Sequence, residues 1–384
     1  MPEPFTLPLE MVELVIDHLC DDREALQTCS LVSLQWVRAT RVHLFRTVTL
    51  RNTLSIQTLV ELLESPFSTT ANAIRGISVE VGMHAHFSFT QYKAENYAPY
   101  LMRLGDICRI ESLHFVQDSS SFRVYGDNPV SSQIFLPPWS CFKSVQALSF
   151  TAVDTSLHLL GFIASFPVLR ELEMDRLKQH WRLAESKDDE DTPPPQLRVV
   201  RLSRCATDVV LDWLRSENRN TQATCSVLEL GGISDHQIAS IAKFLHACGP
   251  VLWHLSLSLR LSNQDFLPLD LSHNTSLQYI RVEPDLYFEA VPHLLCSLGS
   301  ASLEQIELVM PGRLARLYPH DLKRWADLDR HLLQSQFSRL SIIVQLHKAI
   351  DEEIIRGYLP LCTARGIISY VYKPVLYSGT YFSV

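Results

Sequence analysis

The sequence predicts an α/β fold in two unequal parts: a helical N-terminal domain over residues 1–47 and a strand–helix repeat over residues 48–384. Three observations predict it. Apolar residues near the start recur at helical spacing. From residue 74 onward an apolar triplet, spaced three and then two residues apart, recurs along the chain. Six successive intervals between those triplets lie between 24 and 28 residues, and helical segments fill most of them.

The N-terminal part reads as helices. Pro8 suits a first turn, where its missing N–H costs nothing, and Glu10 complements the positive end of the helix dipole. Met11, Leu14, Val15 and Leu19 form one apolar stripe, and Val12 and Ile16 add a second. Asp21-Asp22 stops this helix, and the Asp21/Glu24 spacing predicts a capping box for the next. Leu26, Cys29, Val32 and Trp36 continue the apolar pattern. A unit this small makes a poor core alone, so helices with apolar residues on two sides call for a partner.

The triplets are Leu169-Leu172-Met174, Leu197-Val200-Leu202, Cys225-Leu228-Leu230, Leu252-Leu255-Leu257, Leu277-Ile280-Val282 and Leu303-Ile306-Leu308. Looser copies are Ile74-Ile77-Val79, Ile110-Leu113-Phe115, Val145-Leu148-Phe150 and Phe337-Leu340-Ile342. The middle residues therefore predict strands centred on 77, 113, 148, 172, 200, 228, 255, 280, 306 and 340. Helices are expected over 206–216, 235–248, 286–298 and 321–335, and a last strand over 367–377 is expected to cover the open edge. A strand and a helix per repeat, stacked in register, make a curved solenoid. Long intervals point to inserted loops at 82–100, 118–139 and 309–325, and the acidic, proline-ended stretch 185–195 replaces a helix.

The N-terminal residues resemble an F-box. The match runs through Leu7-Pro8-Leu9-Glu10, Ile16, Leu19, Leu26 and Cys29 to a valine, Val32, four residues before a tryptophan, Trp36. The continuation Arg41-Val42-His43-Leu44-Phe45-Arg46-Thr47-Val48 looks like the lead into the first strand of fungal members. The repeats resemble degenerate leucine-rich repeats: Cys205 alone, among the six regular copies, meets the usual asparagine-or-cysteine position. The resemblance implies a non-catalytic substrate receptor of an SCF-type cullin ubiquitin ligase, with the adaptor subunit, and through it a cullin, as partners. By position it assigns adaptor contact to Leu7, Pro8, Ile16, Leu19, Val32 and Trp36. Trp36 also suits the core of the bundle. The alternative is a ligase-independent repeat scaffold whose F-box-like segment only caps the solenoid.

Composition excludes other classes. A formal charge of −8 does not suit a general nucleic-acid footprint, so no nucleic-acid partner is expected. No run approaches 18 apolar residues and no basic segment precedes an apolar one at the start, so neither a membrane span nor a signal peptide is expected. Nine dispersed cysteines without a CxxC pair read as reduced core thiols of a cytoplasmic or nuclear protein, which leaves the sequon Asn274-Thr275-Ser276 silent. Phosphate-loop, nucleophile-elbow and zinc-protease motifs are all missing, so neither an enzyme nor a cofactor is expected. His84-Ala85-His86 would place two imidazoles on one face of a strand, but no third metal ligand is indicated. Ser186-Lys187-Asp188-Asp189 fits an acid-directed kinase site as well as a solvated loop.

Alternation along each strand assigns the protein substrate its surface. The second and third apolar residues of each triplet face the core, so the residues just before, between and just after them face the concave side. There, acidic residues at 171, 173 and 175 and again at 283 and 307 bracket Arg201, His254 and Arg281. Arg201, His254, Tyr279, Arg281 and Glu283 are the expected substrate-binding residues, with Tyr279 and Arg281 as anchors because aromatics and arginines dominate interface energies.

Overall fold

The computed structural model describes residues 7–81, 97–117, 137–153, 159–177, 196–215, 224–260, 269–284, 290–310, 322–346 and 350–372. The chain divides into two compact units between Pro195 and Gln196. Each combines parallel strands, taken in chain order, with helices in the connections, the architecture of a leucine-rich-repeat-like α/β stack.

The first unit opens with helices α1 (Leu9–His18), α2 (Arg23–Cys29) and α3 (Leu34–Leu44). Val12, Ile16 and Leu26 form their small core, with Leu19, Cys29, Trp36, Ala39 and Leu44 packed against it. His43 Nε2 lies 2.9 Å from Asp17 Oδ1, tying α3 to α1. The cap of α2 falls one residue later than the sequence suggests. Asp22 accepts from the Ala25 N–H at 2.9 Å, while Asp21 belongs to the turn closing α1. The residue at the third helical position is then Ala25, which has no side chain to complete a capping box.

Strands β1 (Thr47–Leu50), β2 (Gly76–Val81), β3 (Ser112–Gln117), β4 (Ala147–Thr151) and β5 (Glu171–Asp175) follow, with α4 (Thr53–Glu64), α5 (Ala98–Ile107) and α6 (Leu159–Ala164) among the connections. Ile77, Leu113, Leu148 and Leu172 lie in one register row, as the triplets predict. Aromatics fill the core where the triplets are loose: Phe115 stacks on Phe150 at 5.2 Å and meets Trp139 edge-on at 5.6 Å. A Cβ at Gly76 would fall 2.6 Å from Ser112 Oγ and 2.9 Å from Thr47 Oγ1, so any larger residue would require these hydroxyls on the neighbouring strands to move.

The second unit runs β6 (Val199–Ser203), α7 (Thr207–Arg215), β7 (Val227–Ile233), α8 (Ile238–Cys248), β8 (His254–Leu259), β9 (Tyr279–Pro284), α9 (Ala290–Cys296), β10 (Gln305–Val309), α10 (Leu322–Leu332), β11 (Ser341–Leu346), α11 (Ile350–Tyr358), α12 (Pro360–Arg365) and β12 (Ile368–Tyr372). Val200, Leu228, Leu255, Ile280, Ile306, Ile342 and Ile368 make one parallel ladder. The tenth anchor is therefore Ile342 rather than Leu340. Phe337 ends a 3₁₀ turn and Leu340 precedes the strand, so the loose triplet mixes turn and strand. The last strand forms over part of the expected range; 373–377 lie outside the described residues, as do 82–96, 118–136 and 185–195 of the inserted loops.

Two buried polar side chains of the second unit tie its elements together, although the Asn274 Oδ1 acceptor is left without a partner among the described residues. Asp329 on α10 accepts from the N–H groups of Leu361 (2.8 Å) and Cys362 (2.9 Å), docking the start of α12. Asn274 is fully buried and donates to the carbonyls of Leu245 and Gly249, both at 3.0 Å, so the folded chain offers no glycosylation acceptor there. All nine cysteines are free; Cys108, Cys205, Cys225, Cys248 and Cys362 are buried, whereas Cys20 is exposed because it follows the end of α1. Among the described residues no helix is long and apolar enough to cross a membrane.

The ladder generates a stability prediction. Leu255→Ala removes a fully buried side chain flanked by two others in register, and should lower unfolding stability by about 2–5 kcal/mol in a denaturant titration. Ser256→Ala, one residue along on the opposite face, should change it far less.

Candidate interaction surfaces

Two surfaces, one in each unit, take up the sequence-predicted residues. The first is the outside of α1–α3. Helical geometry turns Val12 and Ile16 inward and leaves Leu7, Met11, Leu14 and Val15 exposed, at i, i+4, i+7 and i+8. Beyond the end of α2, Leu31, Val32 and Leu34 are also exposed, at 86%, 62% and 89%. Of the six residues assigned to adaptor contact, Leu7, Pro8 and Val32 lie on this exterior. Leu19 and Trp36 are partly buried against the core, and Ile16 is wholly inside it. Met11, Leu14, Leu31 and Leu34 join the surface without having been assigned to it, although the second apolar stripe was the signal that one side of α1 would be left over.

The second surface is the open face of the second unit, where side chains alternate with the buried ladder. Its central row is Arg201, Glu229, Ser256, Arg281 and Glu307, one residue per strand from β6 to β10. His254 and Tyr279 are neighbours in the adjacent row, and Ser258 and Glu283 in the row beyond. All five expected substrate-binding residues thus share this face. Arg201 Nε donates to Glu229 Oε1 at 3.3 Å, and His254 Nε2 lies 3.8 Å from the same oxygen. The His254 ring lies flat on Tyr279, centroids 4.4 Å apart at 14°, and the exposed Trp253 meets His254 edge-on at 5.6 Å.

Glu307 organises the other end. The Tyr279 hydroxyl and the Gln345 amide both donate to its carboxylate, and the Arg281 guanidinium lies 3.8 Å away. Arg281 also lies 3.7 Å from Glu283. Glu307 is only 8% exposed despite facing away from the ladder. Burial, then the hydrogen bond and charge of Glu307, push the Tyr279 hydroxyl well above the ordinary tyrosine range. Burial is also the main cause that holds His254 below the usual histidine value; Arg201 adds to it, while Glu229 and Glu307 oppose it. Glu229 and Glu307 occupy the same facing positions as the expected residues and carried no separate signal. Gln345 was hidden by the two-residue slip of the tenth anchor.

The face thus presents paired charges, serine hydroxyls and an aromatic stack. Among the described residues no group of three or more His, Cys, Asp or Glu side chains is placed to hold a metal; His84 and His86 lie outside them. Cys205 and Cys225 are buried, as the repeat pattern implies. Of the four basic residues within 309–325, Lys323 and Arg324 sit on α10, and Arg313 and Arg316 lie outside the described residues. No protein-family model matches the chain, and no curated protein matches it in sequence.

The His254 environment makes a pH prediction. Its NMR titration should fall below the ordinary value of about 6.5, and Glu229→Gln should move it lower still by removing a favourable charge. The folded state then binds the proton less readily than the unfolded chain. This histidine's contribution to stability is therefore kept above about pH 6.5 and lost as the pH falls from there towards its folded value. A titration at or above the ordinary value would contradict this placement.

Proposed function

We propose that the chain is a non-catalytic substrate-recognition subunit of an SCF-type cullin ubiquitin ligase. Its F-box-like helices dock the adaptor subunit, and the open face of the second unit binds a protein substrate. The observation that carries the reading is the apolar exterior of α1–α3. Met11, Leu14 and Val15 are exposed on a helix whose opposite side already supplies the bundle core, and Leu31, Val32 and Leu34 add to the exposed apolar surface. Soluble domains seldom leave such residues grouped without a partner, and apolar helix faces are a common docking mode. A segment serving only to cap the repeats would use its apolar residues against them, and has no need of this surplus.

The resemblance of Leu7-Pro8-Leu9-Glu10 through Val32 and Trp36 to an F-box names the partner. Buried Ile16 supports the docking surface from beneath, and Leu19 and Trp36 fix the helices that present it. No nucleophile with a positioned base enters this reading; ubiquitin transfer belongs to the other subunits.

Co-purification with a recombinant adaptor–cullin pair tests the proposal. The wild-type chain should be retained, and Leu7→Ala with Pro8→Ala should weaken retention at least several-fold while leaving the thermal melt of the repeats in place. Retention equal to wild type would remove these two residues from the contact, and no retention of the wild-type chain would remove the ligase reading. For a substrate identified through the assembled complex, Tyr279→Ala with Arg281→Ala should abolish capture and spare the adaptor. Capture that survives this change would place the substrate site elsewhere.

A further inference from the structure

We propose that Glu307 is the positioning residue of the open face, holding Tyr279 and Arg281 in the orientation in which they meet a protein substrate. The inference rests on the reading of this face as the recognition surface and names the group that orders it. Three facts of placement carry it. Glu307 projects from β10 between the core residues Ile306 and Leu308, so it is not part of the apolar ladder, yet it is almost wholly shielded from water. A shielded carboxylate is costly unless donors surround it. Here the donors come from the strands on either side: the Tyr279 hydroxyl from β9 and the Gln345 amide from β11, with the Arg281 guanidinium as the nearby counter-charge.

The consequence passes beyond the carboxylate. With its hydroxyl held, the Tyr279 ring is fixed in the plane on which His254 of β8 lies, and His254 in turn faces the Glu229 carboxylate shared with Arg201. One carboxylate thus orders a chain of contacts across neighbouring strands. Arg281 lies beyond hydrogen-bond distance of both Glu283 and Glu307. It is held in place by charge while its N–H donors are left for a partner. Side chains ordered before binding lose less conformational entropy on contact, which is what an anchor pair requires.

Ring-carbon NMR titration of the tyrosines in the full chain tests the assignment without any ligand, with Tyr279→Phe identifying the signal. In the wild-type chain Tyr279 should titrate above the ordinary value of about 10. Glu307→Gln keeps an acceptor and removes the charge; it should lower the Tyr279 midpoint by about one unit or more, with His254 moving down as well. Arg281 and Glu229 also act on Tyr279, so Glu283→Gln, a neighbouring charge without a bond to the hydroxyl, is the control and should move it by less than half as much. An unchanged midpoint in Glu307→Gln, or equal shifts in the two variants, would overturn the proposal. Should Glu307→Gln not fold, the wild-type spectrum decides: a slowly exchanging Tyr279 hydroxyl proton with a cross-peak to the Glu307 side chain supports the proposal, and its absence overturns it. Neither measurement involves the adaptor, so failure here leaves the ligase reading to be judged on its own test.

Discussion

The ladder from Val200 to Ile368 is the constraint on which the second unit depends. Parallel pairing forces each strand to rise beside the last in the same direction, and one apolar residue per strand must meet its neighbours within the core. A shift of one residue would turn that whole set outward. Because the register is held this strictly, the residues on either side of each anchor are also set in rows, and that is why Arg201, Glu229, Ser256, Arg281 and Glu307 align. The open face owes its order to the packing beneath it.

A different balance governs the three N-terminal helices. Two apolar stripes on α1 cannot both be buried by a bundle this small; Val12 and Ile16 take the core and Met11, Leu14 and Val15 remain outside. Folding alone does not explain keeping those side chains apolar. The proposed docking partner would explain it, since contact would remove that surface from water at about 25 cal/mol per Å² of apolar area.

Much of this was legible in the sequence for a physical reason: burial is periodic. Strands at nine of the ten anchors, the four helices expected over 206–216, 235–248, 286–298 and 321–335 and part of the terminal strand follow from spacing, whereas α4, α5, α6, α11 and α12 were not marked by it. What escaped was local or relational. The Asp22 cap differs from Asp21 by one position in a turn. The left-handed residues that end β4, β5 and β6 (Ala152, Arg176 and Arg204) are not glycines, so nothing in their identity marks them; only Gly232, within β7, does. Alternation places Glu307 on the open face but cannot show its burial, which involves Tyr279 and Gln345, 28 and 38 residues away in sequence. Periodicity tells which side a residue faces, and it is silent on which neighbours close over it.

The central claim is that the apolar exterior of α1–α3 is a docking surface in a receptor whose other working face lies elsewhere. Amide hydrogen exchange of the full chain, with and without a purified adaptor subunit, tests it most directly. The account predicts added protection confined to residues 7–19 and 30–36, with the strands from β6 to β10 exchanging as before. Protection spread over those strands and absent from the N-terminal helices, or no change anywhere at saturating adaptor, would contradict it.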